Sequence, residues 1–220
     1  MTILLEILMK NLKKQFIEFT LHHEILRFGN FTLNSGRQSP YFFNTGLCND
    51  GNLLSSLADF YASSIITNSI EYDFIFGPAY KGITLATSIS QVLYIKHSIN
   101  KPYCYNRKEA KTHGETGIFI GAKPKGLSLI VDDVISSGKS ISDSIELLEN
   151  NHAETASVLV AFDRMEVGEE KRASIELSNN HSVSIHSIIT LEDIIEYIKS
   201  SSSLSKHLPE MEEYISKYKR

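Results

Sequence analysis

Acidic, hydroxyl and basic side chains gather in three short stretches of this chain, and their types suit the binding of phosphate and sugar. In "LIVDDVISSGKS", residues 129–140, an apolar run leads into Asp132 and Asp133, then into Ser136, Ser137 and the triplet Gly138-Lys139-Ser140. The triplet is spelled like a nucleoside-triphosphate P-loop, but that motif also needs a glycine five positions before Gly138, where Asp133 stands. A different cradle fits better. If the apolar run is a strand and a helix begins near Ser140, the helix N-terminus offers unpaired N–H groups and positive dipole charge. The serine hydroxyls add donors, so the turn can hold one phosphate monoester. Asp132 and Asp133 repel phosphate but accept hydrogen bonds from a vicinal diol, and a ribose 5-phosphate carries both groups. The simpler alternative is that the two acids only cap the turn.

The second stretch, "FGPAYKG", residues 76–82, also follows a short apolar run, and its glycines and proline permit tight backbone geometry around Tyr80 and Lys81. Lys81 suits a phosphate there, although a lone loop lysine is usually just solvated. In the third, "NRKEAKTHGETG", residues 106–117, Arg107, Lys108, Lys111 and His113 crowd together with few apolar residues to anchor them. Such a segment is either a solvated loop or one that orders when an anion neutralises it. A sugar with phosphates at two ends satisfies all three stretches.

The elements that must position these stretches read as an alternation of strands and helices. The N-terminal "MTILLEILMKNLKKQF" has helical spacing, and "FTLNSGRQSPYFFN" pairs β-type runs at 31–33 and 41–43 around turn formers, predicting a hairpin. Leu53, Leu57, Phe60 and Tyr61 recur at helical spacing; "YDFIFG" reads as a strand, and 82–96 as a helix. The order resumes with a strand at 127–131, a helix carrying Ile141, Ile145 and Leu148, and a strand at 157–162. "SVSIHSIIT" and "LEDIIEYIK" add a strand and a helix, and a serine-rich link leads to a last helical piece with Met211 and Tyr214. Continuously apolar strands that alternate with helices imply a parallel sheet covered on both faces, with ligands beyond the C-terminal strand ends.

A length of 220 residues without an internal repeat suits one α/β domain over 1–220. The net charge of −4 gives no global field for nucleic acid, so phosphate must be bound by local groups. No run approaches the ~20 apolar residues of a membrane span. Cys48 and Cys104, far apart and without metal-ligand spacing, fit reduced thiols in the cytoplasm. The histidines other than His113 also lack metal-site spacing.

These residues resemble the orotate phosphoribosyltransferases, a branch of the type I phosphoribosyltransferases, over nearly the whole chain. "LIVDDVISSGKS" is similar to the signature for 5-phosphoribosyl diphosphate (PRPP) that the whole superfamily shares. "SGRQSPYFFN", "FGPAYKG" and "YNRKEAKTHGE" are closer to the orotate branch in particular. The resemblance implies a central, mainly parallel sheet flanked by helices, with a small hood from the N-terminal helix and hairpin. It implies that Asp132 and Asp133 hold the ribose hydroxyls, that Ser136, Ser137, Gly138, Lys139 and Ser140 hold the 5-phosphate, and that Val134 and Ile135 are also among the PRPP-binding residues. Tyr80 and Lys81 bind the diphosphate, and Arg107, Lys108, Lys111 and His113 cover it. Phe42, Phe43, Ser136 and Arg164 surround orotate, with the guanidinium suited to gripping a carboxylate.

Lys111, Lys81 and Asp133 are the implied catalytic residues, with Lys111 expected to have the largest effect. Mg²⁺ is the implied cofactor, held mainly by PRPP and water without a direct protein ligand. A cytoplasmic homodimer with shared active sites is implied, with neither nucleic acid nor membrane as a partner. Two departures from the family stand out: Asn34 replaces a lysine that contacts PRPP, and Lys139 stands where threonine is frequent. The expected reaction forms orotidine 5'-monophosphate and diphosphate in de novo pyrimidine synthesis. A purine phosphoribosyltransferase and a non-catalytic PRPP-sensing regulator are the alternatives.

Overall fold

The computed structural model describes residues 3–33, 36–111 and 117–218, the side chains at 3, 4, 110 and 111 excepted. Helix α1 (Ile3–His22) leads into an antiparallel hairpin of β1 (Leu26–Thr32) and β2 (Gln38–Phe43). Then come α2 (Gly51–Thr67), β3 (Phe74–Gly77), α3 (Lys81–His97), β4 (Tyr103–Lys111) and β5 (Gly117–Gly121). The second half contains β6 (Gly126–Ile135), α4 (Lys139–Glu149), β7 (Ala153–Asp163), α5 (Ala173–His181), β8 (Ser184–Thr190), α6 (Leu191–Ser200) and α7 (Leu208–Tyr218).

Six strands form one sheet in the order β5-β4-β3-β6-β7-β8, parallel throughout except where β5 pairs with β4. The period of two along each strand splits the core into two layers. Ile75, Leu129, Val131, Leu159 and Ala161 face one side, towards α2, α3 and the hairpin. Phe74, Phe76, Ile130, Val158 and Val160 face the other, towards Ile141, Ile145 and Leu148 of α4. Burial on both faces is why these strands read as unbroken apolar runs.

Local chemistry starts the helices where they are needed. Asp50 accepts a hydrogen bond from the Leu53 N–H (2.9 Å) at the start of α2, and Thr190 with Asp193 forms a capping box for α6. The N-terminal helix and hairpin pack over one end of the sheet. Phe16 meets Phe60 edge-on at 5.0 Å, Lys13 pairs with Asp193 at 2.9 Å, and Tyr41 packs against Phe162 and Tyr214.

Four expectations change. The two acids do not sit beyond a strand ending at Val131: β6 continues through them because Val134 and Ile135 still pair with Phe162 and Asp163 of β7. The third stretch is not a free loop at its start, since Arg107 and Lys108 belong to β4, in an irregular part of its pairing with β5 between the paired residues Asn106 and Lys111. Both hairpin strands are longer than their most apolar residues suggested. Helix α5 and strands β4 and β5 carry no clean periodicity and went unpredicted; β4 is ordered by pairing with β3 and β5, and α5 by packing that buries Ala173, Ser174 and Leu177.

Candidate active site

Chain direction creates the site. From β3 the chain crosses to β4 and β5 on one side, then returns to lay β6 on the other side of β3. A crevice therefore opens beyond the C-terminal ends of β3 and β6, the topological switch point of the sheet. The second and first stretches of the sequence are the loops that follow these two strands.

The β3–α3 turn is as tight as backbone allows. A Cβ added to Gly77 would lie 1.9 Å from the Gly82 carbonyl oxygen, so strand end and helix start touch main chain to main chain. Asn106 of β4 accepts a hydrogen bond from the Ala79 N–H (2.9 Å), tying the turn to the neighbouring strand. Tyr80 is left 69% exposed with Lys108 Nζ 4.6 Å from its ring centre, so two predicted diphosphate-side residues meet at the mouth of the crevice.

Lys81 crosses the crevice and forms an ion pair with Asp133 Oδ2. The same oxygen accepts from Thr45 Oγ1 at 3.2 Å, and Oδ1 accepts from the Val134 N–H at 2.9 Å. Asp132 accepts from the Asp133 N–H at 2.9 Å, while its main-chain carbonyl accepts from the buried Tyr61 hydroxyl at 2.7 Å. The two acids thus have unequal surroundings. Burial, then the adjacent Asp133 charge, push the Asp132 carboxyl up to about 7, against smaller opposing effects of hydrogen bonds and Lys81. A cation or hydrogen-bond donor next to Asp132 favours its charged form.

After β6 the chain turns at exposed Ser136 and Ser137 into α4. Gly138 takes a left-handed conformation (φ +78°), and a Cβ there would meet Leu177 at 2.9 Å, so this turn demands glycine. The carbonyl of Gly138 accepts from the N–H groups of Ile141 and Ser142, and Lys139 and Ser140 open the helix with no earlier helical carbonyl to bond. Val134 lines the crevice, whereas the Ile135 side chain is 1% exposed in the core, leaving only its backbone for a ligand.

Beside this loop lies a cavity of about 450 Å³ between the hairpin and the ends of β6 and β7. Phe42, Phe43, Ser136 and Arg164, separate in the sequence, all line it, together with Lys81. The strand alternation sends Phe42 and Phe43 to opposite faces: Phe42 stacks on Phe31 at 5.5 Å, and Phe43 packs on Phe162 at 5.1 Å.

Arg164 is buried and already partly engaged. Its Nε donates to Glu166 Oε1 (2.8 Å), its Nη2 donates to the Tyr214 hydroxyl (3.3 Å), and its guanidinium lies over Tyr41 at 4.9 Å. Burial opposes its charge, but Tyr41, Glu166 and Tyr214 outweigh that, so the guanidinium is held protonated. Asn34 and His113 lie outside the described residues, as does the side chain of Lys111; Arg107 donates to the Gly117 carbonyl at 3.2 Å.

Sequence reasoning missed Thr45, Tyr61, Arg37, Glu166 and Tyr214. Arg37, Thr45 and Glu166 lay within a few positions of marked residues; nothing in the local sequence signals that Thr45 and Tyr61 reach β6, or that Tyr214 reaches Arg164. A larger hollow, about 590 Å³ around Ile66, Tyr72 and Leu127, lies at the N-terminal ends of β3 and β6, away from all three stretches.

A parallel sheet whose switch point joins a phosphate-type turn, a paired-acid strand end and a base-sized cavity defines a phosphoribosyltransferase. A family profile described as "Phosphoribosyl transferase domain" matches residues 49–189. Orotate phosphoribosyltransferase of Haemophilus influenzae is 47% identical over 207 residues, covering 94% of this chain and 97% of that protein. The Vibrio cholerae protein of the same name is 45% identical, covering 96% and 99%. The crystal structure of orotate phosphoribosyltransferase from Francisella tularensis superposes with a TM-score of 0.82 at 39% identity, covering 94% of this chain and 100% of that one. The chain belongs to the phosphoribosyltransferase family, in its orotate phosphoribosyltransferase branch.

Proposed function

We propose that the whole chain, residues 1–220, is one catalytic unit that transfers the 5-phosphoribosyl group of PRPP to orotate, giving orotidine 5'-monophosphate and diphosphate in de novo pyrimidine synthesis. The observation that carries this reading is that Ser136 belongs both to the turn suited to the 5-phosphate and to the cavity bounded by Phe42, Phe43 and Arg164. A phosphoribosyl group and a planar acidic base are thereby brought side by side. In this reading Asp132 and Asp133 bind the ribose hydroxyls, Ser136, Ser137, Gly138, Lys139 and Ser140 hold the 5-phosphate, and Val134 and Ile135 complete the PRPP-binding run.

A ring nitrogen of orotate displaces diphosphate from the anomeric carbon, so the residues have no need to supply a nucleophile. Their work is to hold the sugar, orient the base and balance the charge that leaves. Lys81 is placed for this because it spans the crevice between the diphosphate-side turn and Asp133. Lys108 and Tyr80 stand at the same mouth, and Arg107, Lys111 and His113 complete the cationic cover and exclude water. Asp132 and a lysine-paired Asp133 make a sparse donor set for a metal. That suits Mg²⁺ carried mainly by the phosphates and water, where it supplies further neutralisation of the leaving group. The enzyme works in the cytoplasm as a homodimer with shared active sites; no described helix is long and apolar enough to cross a membrane.

The test is loss of orotate absorbance with PRPP and Mg²⁺, with hypoxanthine and guanine as competing bases. Orotate turnover with no purine turnover is expected; purine turnover alone would favour the purine enzyme, and no turnover the regulator. Lys111→Ala should reduce turnover by about tenfold or more, the scale of a lost transition-state charge contact. Wild-type kinetics in that variant would remove Lys111 from the catalytic set.

A further inference from the structure

The base cavity holds a second guanidinium. Arg37, at the entry to β2, lines the same cavity as Arg164, and one buried carboxylate lies between the two. Glu166, 6% exposed, accepts from Arg164 Nε on Oε1 (2.8 Å) and pairs through Oε2 with Arg37 Nη1 (2.9 Å). Tyr214 also donates to Oε1, at 2.6 Å, and the Tyr218 ring lies 4.5 Å from the Arg37 guanidinium. These two tyrosines come from α7, whose Tyr218 carbonyl in turn accepts from the Val167 N–H (3.2 Å) beside the cavity.

A surface arginine free to swing does not need a buried partner, a stacked ring and a second arginine on the same carboxylate. The charges decide what the arrangement fits. Two guanidiniums and one carboxylate sum to one positive charge, the complement of a single ligand carboxylate. Glu166 uses only one nitrogen of the Arg37 fork, and the fork geometry leaves others for a ligand.

We propose that Arg37 is a second carboxylate-binding residue of the base site, with Glu166 and Tyr218 as positioning residues that aim its guanidinium into the cavity beside that of Arg164. This rests on the orotate reading and deepens it: the cavity selects an acidic pyrimidine over the same ring without a carboxylate by using two arginines held in fixed relation.

The product nucleotides provide the test, because orotidine 5'-monophosphate and uridine 5'-monophosphate differ only by the carboxylate. Binding of each is measured by calorimetry, with thermal unfolding as a check on folding. Wild type should bind orotidylate more tightly. Arg37→Gln should weaken orotidylate about tenfold, the scale of one charge-assisted hydrogen bond, and leave uridylate unchanged. Arg37→Lys, which keeps the charge but loses the fork, should fall between, and Tyr218→Leu should give a smaller loss in the same direction.

Should Arg37→Gln fail to fold, Arg37→Lys and Tyr218→Leu decide the matter. An orotidylate-to-uridylate ratio equal to wild type in the folded variants overturns the proposal, as does equal wild-type affinity for the two nucleotides. A wild-type enzyme that reads the carboxylate yet fails to turn over orotate would instead defeat the functional reading alone.

Discussion

Asp132 and Asp133 are neighbours in the chain with different tasks in the fold. Asp133 is neutralised by Lys81 and anchored by Thr45, so it has been given fixed geometry. Asp132 has no such cation of its own and pays for it in stability. Its native carboxyl titrates near 7 against 3.8 for an ordinary aspartate, so between those values the native state binds more protons than the unfolded chain. Stability therefore falls as pH rises through this window, and the deficit persists above it. Asp132→Asn should raise the unfolding temperature by several degrees at pH 8, with no gain at pH 3, while PRPP affinity falls. An equal shift at both pH values, measured by calorimetry, would show that the carboxylate carries no such cost. Evolution of a binding group against stability is common at sites that await a charged or polar ligand.

At the scale of elements, the site depends on how closely a strand end and a helix start can approach. Gly77 and Gly82 bring β3 and α3 into main-chain contact, which draws Tyr80 and Lys81 over the end of the sheet. Gly77→Ala would drive a Cβ to 1.9 Å from the Gly82 oxygen and 2.8 Å from the Ala86 Cβ. A destabilisation of about 3 kcal/mol in urea unfolding is expected, with loss of activity, because neither backbone has a flexible end to yield. Gly51→Ala is the control: a Cβ there meets nothing within 4 Å, and the position opens a helix. Equal unfolding midpoints for the two variants would refute the close-contact argument. The same scale explains why the strand at the start of the third stretch was not foreseen: charge density marks Arg107 and Lys108 as solvated, but the β4 that carries them obtains its order from pairing with β3 and β5.

Across the whole molecule, the crevice gathers the post-β3 and post-β6 turns, the hairpin and the last helix. The proposed homodimer with shared active sites makes a test at this scale: whether Lys111 and Asp133 of one site come from different subunits. Mixing Lys111→Ala with Asp133→Asn protein, each strongly impaired alone, should raise activity above either variant to roughly a quarter of wild type if half the dimers are mixed and each has one intact site. Activity that stays at background after subunit exchange is verified would mean that each subunit closes its own loop.

The linear chain was enough to mark loops suited to phosphate and a sugar diol, because strand-to-helix turns, paired acids and glycines act through backbone conformation within a few residues; the class of protein came from the family resemblance of those motifs. Those local features marked Asp132, Asp133, the serines of the phosphate turn and Lys81, whereas Arg164 was singled out only by the family resemblance. Tertiary structure decided which of these meet and what answers them: Lys81 with Asp133 across 52 positions, Thr45 with Asp133 across 88, and Tyr214 with Glu166 across 48. Side chains so far apart carry no local periodicity or turn preference that betrays the pairing. Only the order of strands in the sheet and the seating of α7 on the hairpin bring them within hydrogen-bond reach.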